Sequence, residues 1–267
     1  MGRPYVRKKM LIAITRLVSP AIDRCELTHL ERIPVDLERA RLQHHAYEET
    51  LRGLGVEVHS LPEEPHLPDS VFVEDTAVVL DECALLTRPG ADSRQPETES
   101  IARALAPYRK LFNIQAPGTL DGGDVLTVGK TIFVGLSCRS NQAAIDQMQA
   151  FLKPYGYTVK GIRVTGCLHL KSAVTQVAAS TLLVNPAWVD KVNFPGMKFI
   201  EIDPSEQYAA NALMVGGTVL YQPAYPKTQA RLEAAGIYPI LVDESELGKA
   251  EGALTCCALI FQVCGET

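Results

Sequence analysis

Apolar residues recur three and four positions apart in four stretches of the chain, and each stretch is predicted to be a helix. In VDLERARLQHHAYEETLRGLG, Leu37, Ala40, Tyr47, Leu51 and Leu54 share a face, with Asp36 placed to cap the start and Gly55 to end the helix. ETESIARALAPYRKLF and SNQAAIDQMQAFLKPYG follow the same rule, the second with Ser140 as its expected cap and Ile145, Met148 and Phe151 facing inward. PKTQARLEAAG is a fourth, shorter case. Between the helices lie β-branched apolar runs in pairs joined by turn residues: VFVEDTAVVL with CALLTRPG, DVLTVG with TIFVGLS, LHLKSAVTQVA with TLLVNP, and NALMVGG with TVLYQP. Each pair reads as a hairpin.

The hairpins repeat. Asp75, Asp121, His169 and Asn211 stand near the start of successive pairs, about 40 to 50 residues apart, a period that suits a closed ring of units. Helical returns between the hairpins favour mixed β and α modules over an all-β propeller. MLIAITRL near one end and ALTCCALIF near the other have no hairpin of their own, so they are expected to pair and complete the last module. A ring brings equivalent ends of its units to one axis, and polar residues at the unit starts are expected to meet the segment LTCC there.

Composition narrows the partners. The net charge of −5 is mild, the basic residues are dispersed and aromatics make up 6%, so there is no nucleic-acid footprint. No run approaches the roughly 18 apolar residues of a spanning helix, which argues against a membrane. A small-molecule substrate or a protein partner is expected instead. The seven cysteines, at 25, 83, 138, 167, 256, 257 and 264, are odd in number, lack framework spacing and include no CxxC pair, as expected of reduced thiols in a cytoplasm without a structural metal. The N-terminus is basic and then apolar, but Arg16 interrupts the run and no cleavage site follows, so the apolar part is read as a strand. Residues 1–9 are expected to be a loosely ordered extension of a single domain spanning residues 10–267.

A thiol near neutrality is a weak nucleophile until its proton is removed or its thiolate stabilised, which makes Cys256 or Cys257 with His169 of GCLHLKS a candidate nucleophile and acid/base pair. Neighbours on a strand face opposite ways, so one cysteine is expected to function and the other to pack. In TLDGGDVL, Asp121 is placed to orient a histidine while Gly122 and Gly123 let the backbone pass close to a ligand. Asp69, Glu74 and Asp75 beside an apolar strand would select a cation, and Arg88, Arg94 and Arg139 could grip a carboxylate. A competing reading makes Cys256, Cys257 and His169 a zinc or redox-sensing site.

In order, FVEDTAVV, TRPGADSR, LDGGDVL, FVGLSCRSNQ, GCLHLKS and LTCC resemble the dimethylarginine dimethylaminohydrolase family of the pentein, or guanidino-group-modifying, superfamily, from about residue 10 to about 262. The resemblance implies an α/β fold, a five-bladed propeller of ββαβ modules with pseudo-five-fold symmetry. It implies Cys256 as nucleophile, His169 as general acid/base and Asp121 as the carboxylate that orients it. Asp75 would bind the substrate guanidinium with Glu74 and Asp69 beside it, Arg94 and Arg139 the substrate carboxylate, and the backbone carbonyls of Leu27 and Ala250 the α-ammonium group. The implied reaction converts Nω-methylated arginines to citrulline and methylamine or dimethylamine through a covalent S-alkylthiouronium, without a cofactor. The outer surface of such a propeller is compatible with a homodimer. Arginine deiminases carry HxD where this chain has His169, Leu170 and Lys171, and a missing acidic clamp suits a methylated nitrogen. Deiminase-like hydrolysis of another guanidino compound is the alternative.

Overall fold

The first apolar run forms β1 (Lys9–Arg16). The expected helix follows as α1 (Leu37–Gly53): the Asp36 carboxylate accepts the Arg39 N–H at 3.1 Å, and Gly55 leaves the helix at φ +81°. β2 (Val56–Leu61) closes the unit. The next comprise β3 (Ala77–Val79), β4 (Cys83–Leu86), α2 (Glu97–Leu105) and β5 (Lys110–Asn113), then β6 (Val125–Val128), β7 (Thr131–Leu136), α3 (Gln142–Leu152) and β8 (Thr158–Arg163). After these come α4 (Leu170–Ala173), β9 (Val174–Ala178), β10 (Thr181–Val184) and β11 (Lys198–Glu201). The chain ends with β12 (Leu213–Val215), β13 (Thr218–Tyr221), α5 (Pro226–Ala234), β14 (Ile240–Leu241), α6 (Ser245–Gly248) and β15 (Leu259–Cys264). The structure, a computed structural model, describes residues 9–264.

Five three-stranded sheets result, ordered β3-β4-β5, β6-β7-β8, β9-β10-β11, β12-β13-β14 and β15-β1-β2. In each, the middle strand takes one antiparallel neighbour and one parallel neighbour. A parallel neighbour needs a crossover, which is why a helix separates those two strands in four of the five sheets. The first and last apolar runs pair antiparallel from Lys9↔Cys264 to Ile14↔Leu259, so the two ends of the chain complete one blade. No helix among the described residues is long and apolar enough to cross a membrane.

The fold is the expected five-bladed α/β propeller, with local departures. The fourth crossover, residues 185–197, carries only one 3₁₀ turn, Lys191–Asn193, where a helix was expected of a ββαβ module. Its sequence lacks a helical apolar stripe, and Val189 and Phe194, buried with Trp188 packed beside them, cover the sheet instead. Helix α3 is capped by Asn141, whose side chain accepts the Ala144 N–H at 3.1 Å, and not by Ser140; the Ser140 hydroxyl accepts the Asp121 N–H. The predicted helix stops at Leu105, since Pro107 interrupts the helical pattern, and its last residues become β5 from Lys110. Of the extension expected over residues 1–9, Lys9 already belongs to β1, and residues 1–8 lie outside the described residues.

A feature of the repeat positions the chemistry. One short helical turn precedes the hairpin strand in four blades: Val73–Thr76 before β3, Gly122–Asp124 before β6, α4 before β9 and Leu254–Cys257 before β15. These turns lie against one another, so their residues meet although they are far apart in sequence.

Candidate active site

His169 is the N-cap of α4, and its backbone is extended, which swings the imidazole out of the helix. Its Nε2 lies 3.0 Å from Asp121 Oδ2, and its Nδ1 lies 3.8 Å from Asp75 Oδ1. Each acid is itself held. Asp121 Oδ1 accepts the Gly90 N–H at 2.8 Å; Asp75 Oδ1 accepts the Gly123 N–H at 2.9 Å, and its Oδ2 accepts Arg94 Nη1 at 2.6 Å. Behind them Asp124 accepts the Leu170 N–H at 2.9 Å and the Ser137 hydroxyl at 2.6 Å, fixing the start of α4. The double glycine has its physical reason here. A Cβ at Gly123 would sit 2.5 Å from His169 Nδ1 and 2.8 Å from Asp75 Oδ1, and one at Gly122 would overlap the Glu74 carbonyl. The backbone approach anticipated toward a ligand is therefore also an approach of one blade to the catalytic candidates of two others.

Burial disfavours an imidazolium, yet Asp75, the hydrogen bond to Asp121 and the charge of Asp124 override it and raise His169 to about 9. Burial opposes the Asp75 carboxylate too, but His169, Arg94 and the Gly123 amide hold it down at about 2. Asp124, with less compensation for its burial, is pushed up to about 6. Burial, with the negative charges of Glu74 and Asp75, drives the Cys256 thiol well above its ordinary value. The site thus keeps a charged acid and a neutral thiol until a cation arrives.

Cys256, His169, Asp75, Asp69, Arg94, Arg139 and Ala250 line one cavity, together with Glu26, Phe72, Leu168, Glu251 and Gly252. Its free volume is about 20 Å³, room for about one water. Asp121 lies behind the histidine. Three expected binding residues, Leu27, Glu74 and Arg88, are not in this lining. Leu27 packs, as Cys256 does, against one core cluster. Glu74 lines a separate cleft with Gly122 and Lys171, and both its oxygens are engaged, one by Lys171 Nζ at 2.6 Å and the other by the Thr255 hydroxyl at 2.9 Å. Arg94 differs from a free carboxylate clamp, because it donates to Asp75, to Glu97 and to the carbonyls of Asp69 and Phe72, leaving one Nη1 hydrogen. Arg139 is less committed, with one bond to the Thr28 hydroxyl at 3.2 Å. Arg88, partly exposed beside Asp92, is absent from the lining.

Asn211, one of the unit-start residues expected to meet LTCC at the axis, does so: its amide donates to the Thr255 hydroxyl at 3.0 Å. Sequence reasoning missed the rest of that polar chain, in which Lys171 and Thr255 hold Glu74, and two further parts. The Glu251 carboxylate accepts the backbone N–H groups of Thr28, His29 and Leu30, and Glu251 itself adopts φ +58°, unusual for a residue with a side chain. No sequence signal marks that latch, because its partners are backbone groups. Asp124 was passed over as part of a turn.

Asp75, Asp121 and His169 bring ligand atoms within 4.8 Å of one another. All four carboxylate oxygens already accept hydrogen bonds, so the group is arranged around a proton more than around a cation. The alternative set of Cys256, Cys257 and His169 is not formed, since Cys257 is grouped instead with His44 and Glu244 on the far side of the turn.

Residues 28–191 match the family described as N,N dimethylarginine dimethylhydrolase, eukaryotic. The dimethylarginine dimethylaminohydrolases of Streptomyces coelicolor and Pseudomonas aeruginosa are 41% and 36% identical over 246 and 242 residues, covering 91% and 90% of this chain and 94% of each relative. The structure superposes with TM-score 0.90 on the Pseudomonas aeruginosa enzyme, a cysteine-to-serine mutant complexed with citrulline, at 34% identity over 94% of this chain and all of that one. A lesser likeness, TM-score 0.81 at 19% identity, to the N-terminal domain of the cyanobacterial arginine dihydrolase ArgZ is one of fold. With a family match over more than half of its length and these relatives aligned along nine-tenths of it, this chain belongs to the dimethylarginine dimethylaminohydrolase family.

Proposed function

We propose that the protein hydrolyses Nω-methylated arginines to citrulline and methylamine or dimethylamine, with Cys256 as nucleophile and His169 as general acid and then base. The observation that carries this reading is an imidazole held between the carboxylates of Asp121, at 3.0 Å, and Asp75, at 3.8 Å, in the cavity that also receives the Cys256 thiol. A guanidinium bound at Asp75 lowers the cost of the thiolate, whose proton leaves to solvent, because a positive charge now faces the sulfur. The thiolate attacks the guanidinium carbon and a C–S bond forms. His169 gives its proton to the methylated nitrogen, the C–N bond breaks and the amine departs, leaving an S-alkylthiouronium. Neutral His169 then takes a proton from water, hydroxide adds to the same carbon, and the C–S bond breaks to return thiolate and a ureido product. Arg139 and the remaining Arg94 N–H would hold the α-carboxylate, and the carbonyls of Leu27 and Ala250 the α-ammonium.

The ion pair of Lys171 with Glu74 supports a methylated substrate: the position where deiminases carry a second acid here holds a cation that neutralises a neighbouring carboxylate. The free cysteines support a reducing compartment such as the cytoplasm. The test is citrulline formation from Nω,Nω-dimethylarginine, Nω-methylarginine and arginine, with Cys256→Ser as blank. Turnover of the methylated compounds alone is expected; turnover of arginine alone would move the protein to the deiminases, and no citrulline from any would overturn the reading.

A further inference from the structure

On the far side of the Leu254–Cys257 turn, away from the cavity, three chemically capable side chains meet inside an apolar core and take no part in the proposed reaction. They are His44 of α1, Glu244 just before α6, and Cys257 beside the nucleophile, exposed by 2%, 0% and 0%. Among the described residues, neither ring nitrogen of His44 and neither oxygen of Glu244 has a hydrogen-bond partner. The neighbours are not loosely packed: Gln43 donates to Asp243 and Ser245 and accepts the Glu246 N–H, and Glu48 accepts the Thr15 hydroxyl at 2.6 Å. A fully buried carboxylate without a donor, beside an imidazole without a partner, is an arrangement folded proteins avoid unless something binds there.

The spacing says what binds. One ligand atom from each of the three lies within 4.8 Å of the others. His44 Nδ1 and Glu244 Oε1 are 3.6 Å apart, too long for a good hydrogen bond. Bonds of about 2.0–2.3 Å to one tetrahedral ion place its ligands roughly 3.3–3.8 Å apart, which is this separation. Beyond the ring, Glu48 Oε1 stands 3.7 Å from His44 Nε2, too far to bond it as the structure stands but on the side from which a carboxylate orients a metal-bound imidazole once the ring shifts toward it. We infer that His44, Glu244 and Cys257 form a buried site for a zinc-type divalent cation, distinct from the cavity of Cys256 and His169. The donor set of thiolate, imidazole and carboxylate suits such an ion. A thiolate, a carboxylate and a 2+ ion sum to zero charge, and one proton, from the Cys257 thiol, is released on binding. The second Glu244 oxygen or a water completes four ligands. An ion there joins α1, the start of α6 and the turn that carries Cys256.

The test keeps the two thiols apart. Cys256→Ser protein, stripped with a chelator and titrated with Co²⁺, is expected to bind one equivalent with the near-ultraviolet thiolate-to-cobalt band and the strong visible bands of a four-coordinate ion. Adding Cys257→Ser should remove the thiolate band, and Glu48→Gln should keep it while weakening binding about 10- to 100-fold. A band seen in the wild-type protein and lost in Cys256→Ser would place the metal on the nucleophile and overturn the inference, as would a Cys256→Ser protein that binds no Co²⁺. Should the double variant fail to fold by circular dichroism, His44→Gln in the Cys256→Ser background decides: binding weakened at least about 100-fold supports the site, and an unchanged titration refutes it.

Discussion

Asp121→Asn removes a charge from the site while nearly preserving its shape. His169 stands at about 9, against about 6.5 for a free imidazole, a displacement of roughly 2.5 units. At about 1.4 kcal/mol per pH unit that is a net preference for imidazolium on the order of 3.5 kcal/mol, reached against burial by Asp75, Asp121 and Asp124 together. Asp121 supplies the one hydrogen bond, at 3.0 Å, while the Asp75 oxygen stands 3.8 Å away. In the variant the side-chain oxygen is still claimed by the Gly90 N–H, so the amide nitrogen faces His169 Nε2, and two donors cannot meet unless the imidazole gives up its proton. His169 is therefore expected to titrate at least about one unit lower, and kcat to fall about 10³- to 10⁴-fold, the scale seen when a histidine-orienting aspartate becomes asparagine in a serine protease. Histidine NMR in the Cys256→Ser background gives the titration, and the pH profile of kcat/KM should lose rate at its alkaline limb first. Stability follows with a definite sign. A raised histidine pKa stabilises the fold fully below about 6.5 and loses that contribution as pH climbs through about 9, so the stability gap between wild type and variant should narrow over that window. An Asp121→Asn enzyme with His169 still near 9 and kcat unchanged would refute the reasoning.

Three further changes probe other parts of the site. Because burial and two acids suppress the Cys256 thiolate, the free enzyme should react slowly with iodoacetamide at pH 7 and at least roughly tenfold faster with a chloroacetamidine, whose cation mimics substrate; Asp75→Asn should erase that preference, and equal rates in the wild type would contradict it. Gly123→Ala should displace His169 and Asp75, lowering kcat about 100-fold and thermal stability by about 1–3 kcal/mol, whereas wild-type values in both would show that the close approach is unimportant. Glu251→Gln should loosen the 28–30 segment and raise KM about five- to tenfold with kcat nearly kept, the scale of one charge-assisted hydrogen bond; an unchanged KM would mean the latch has no part in binding.

The fold was legible in the sequence because the period of the units sets which residues share an axis. Asp75, Asp121, His169 and Asn211 mark the heads of four blades, and β1 pairs with β15 as two runs without hairpins of their own required. What escaped is whatever depends on side chains from several blades competing for one partner. Glu74 and Asp75 are neighbours with the same charge, yet the short turn at Val73–Thr76 sends one to Lys171 and the other to His169 and Arg94. Arg94 was read as a clamp for substrate, but an arginine surrounded by buried acids and open carbonyls satisfies them first. The polar stripe Gln43, His44 and Glu48 on α1 was equally hidden, since helical periodicity there reports only the apolar half of a buried face.

The propeller solves an electrostatic problem that one sheet or one helix could not. Six acids, Asp69, Glu74, Asp75, Glu97, Asp121 and Asp124, are buried around Cys256, His169 and their supports, against four cations, Arg94, Arg139, His169 and Lys171. The six come from four separate turns or helix starts, so backbone N–H groups and hydroxyls can satisfy Asp69, Asp75, Asp121 and Asp124 before any substrate is present. The excess of acid is still felt where compensation is thinnest: burial lifts Glu97 to about 7 despite Arg94, and Asp124 to about 6. A ligand bearing a guanidinium and an ammonium against one carboxylate supplies the missing positive charge. In the proposed reaction its arrival would relax the acids and draw the Cys256 thiol toward thiolate in the same step, so the charge that selects the substrate would also arm Cys256 only when that substrate is in place.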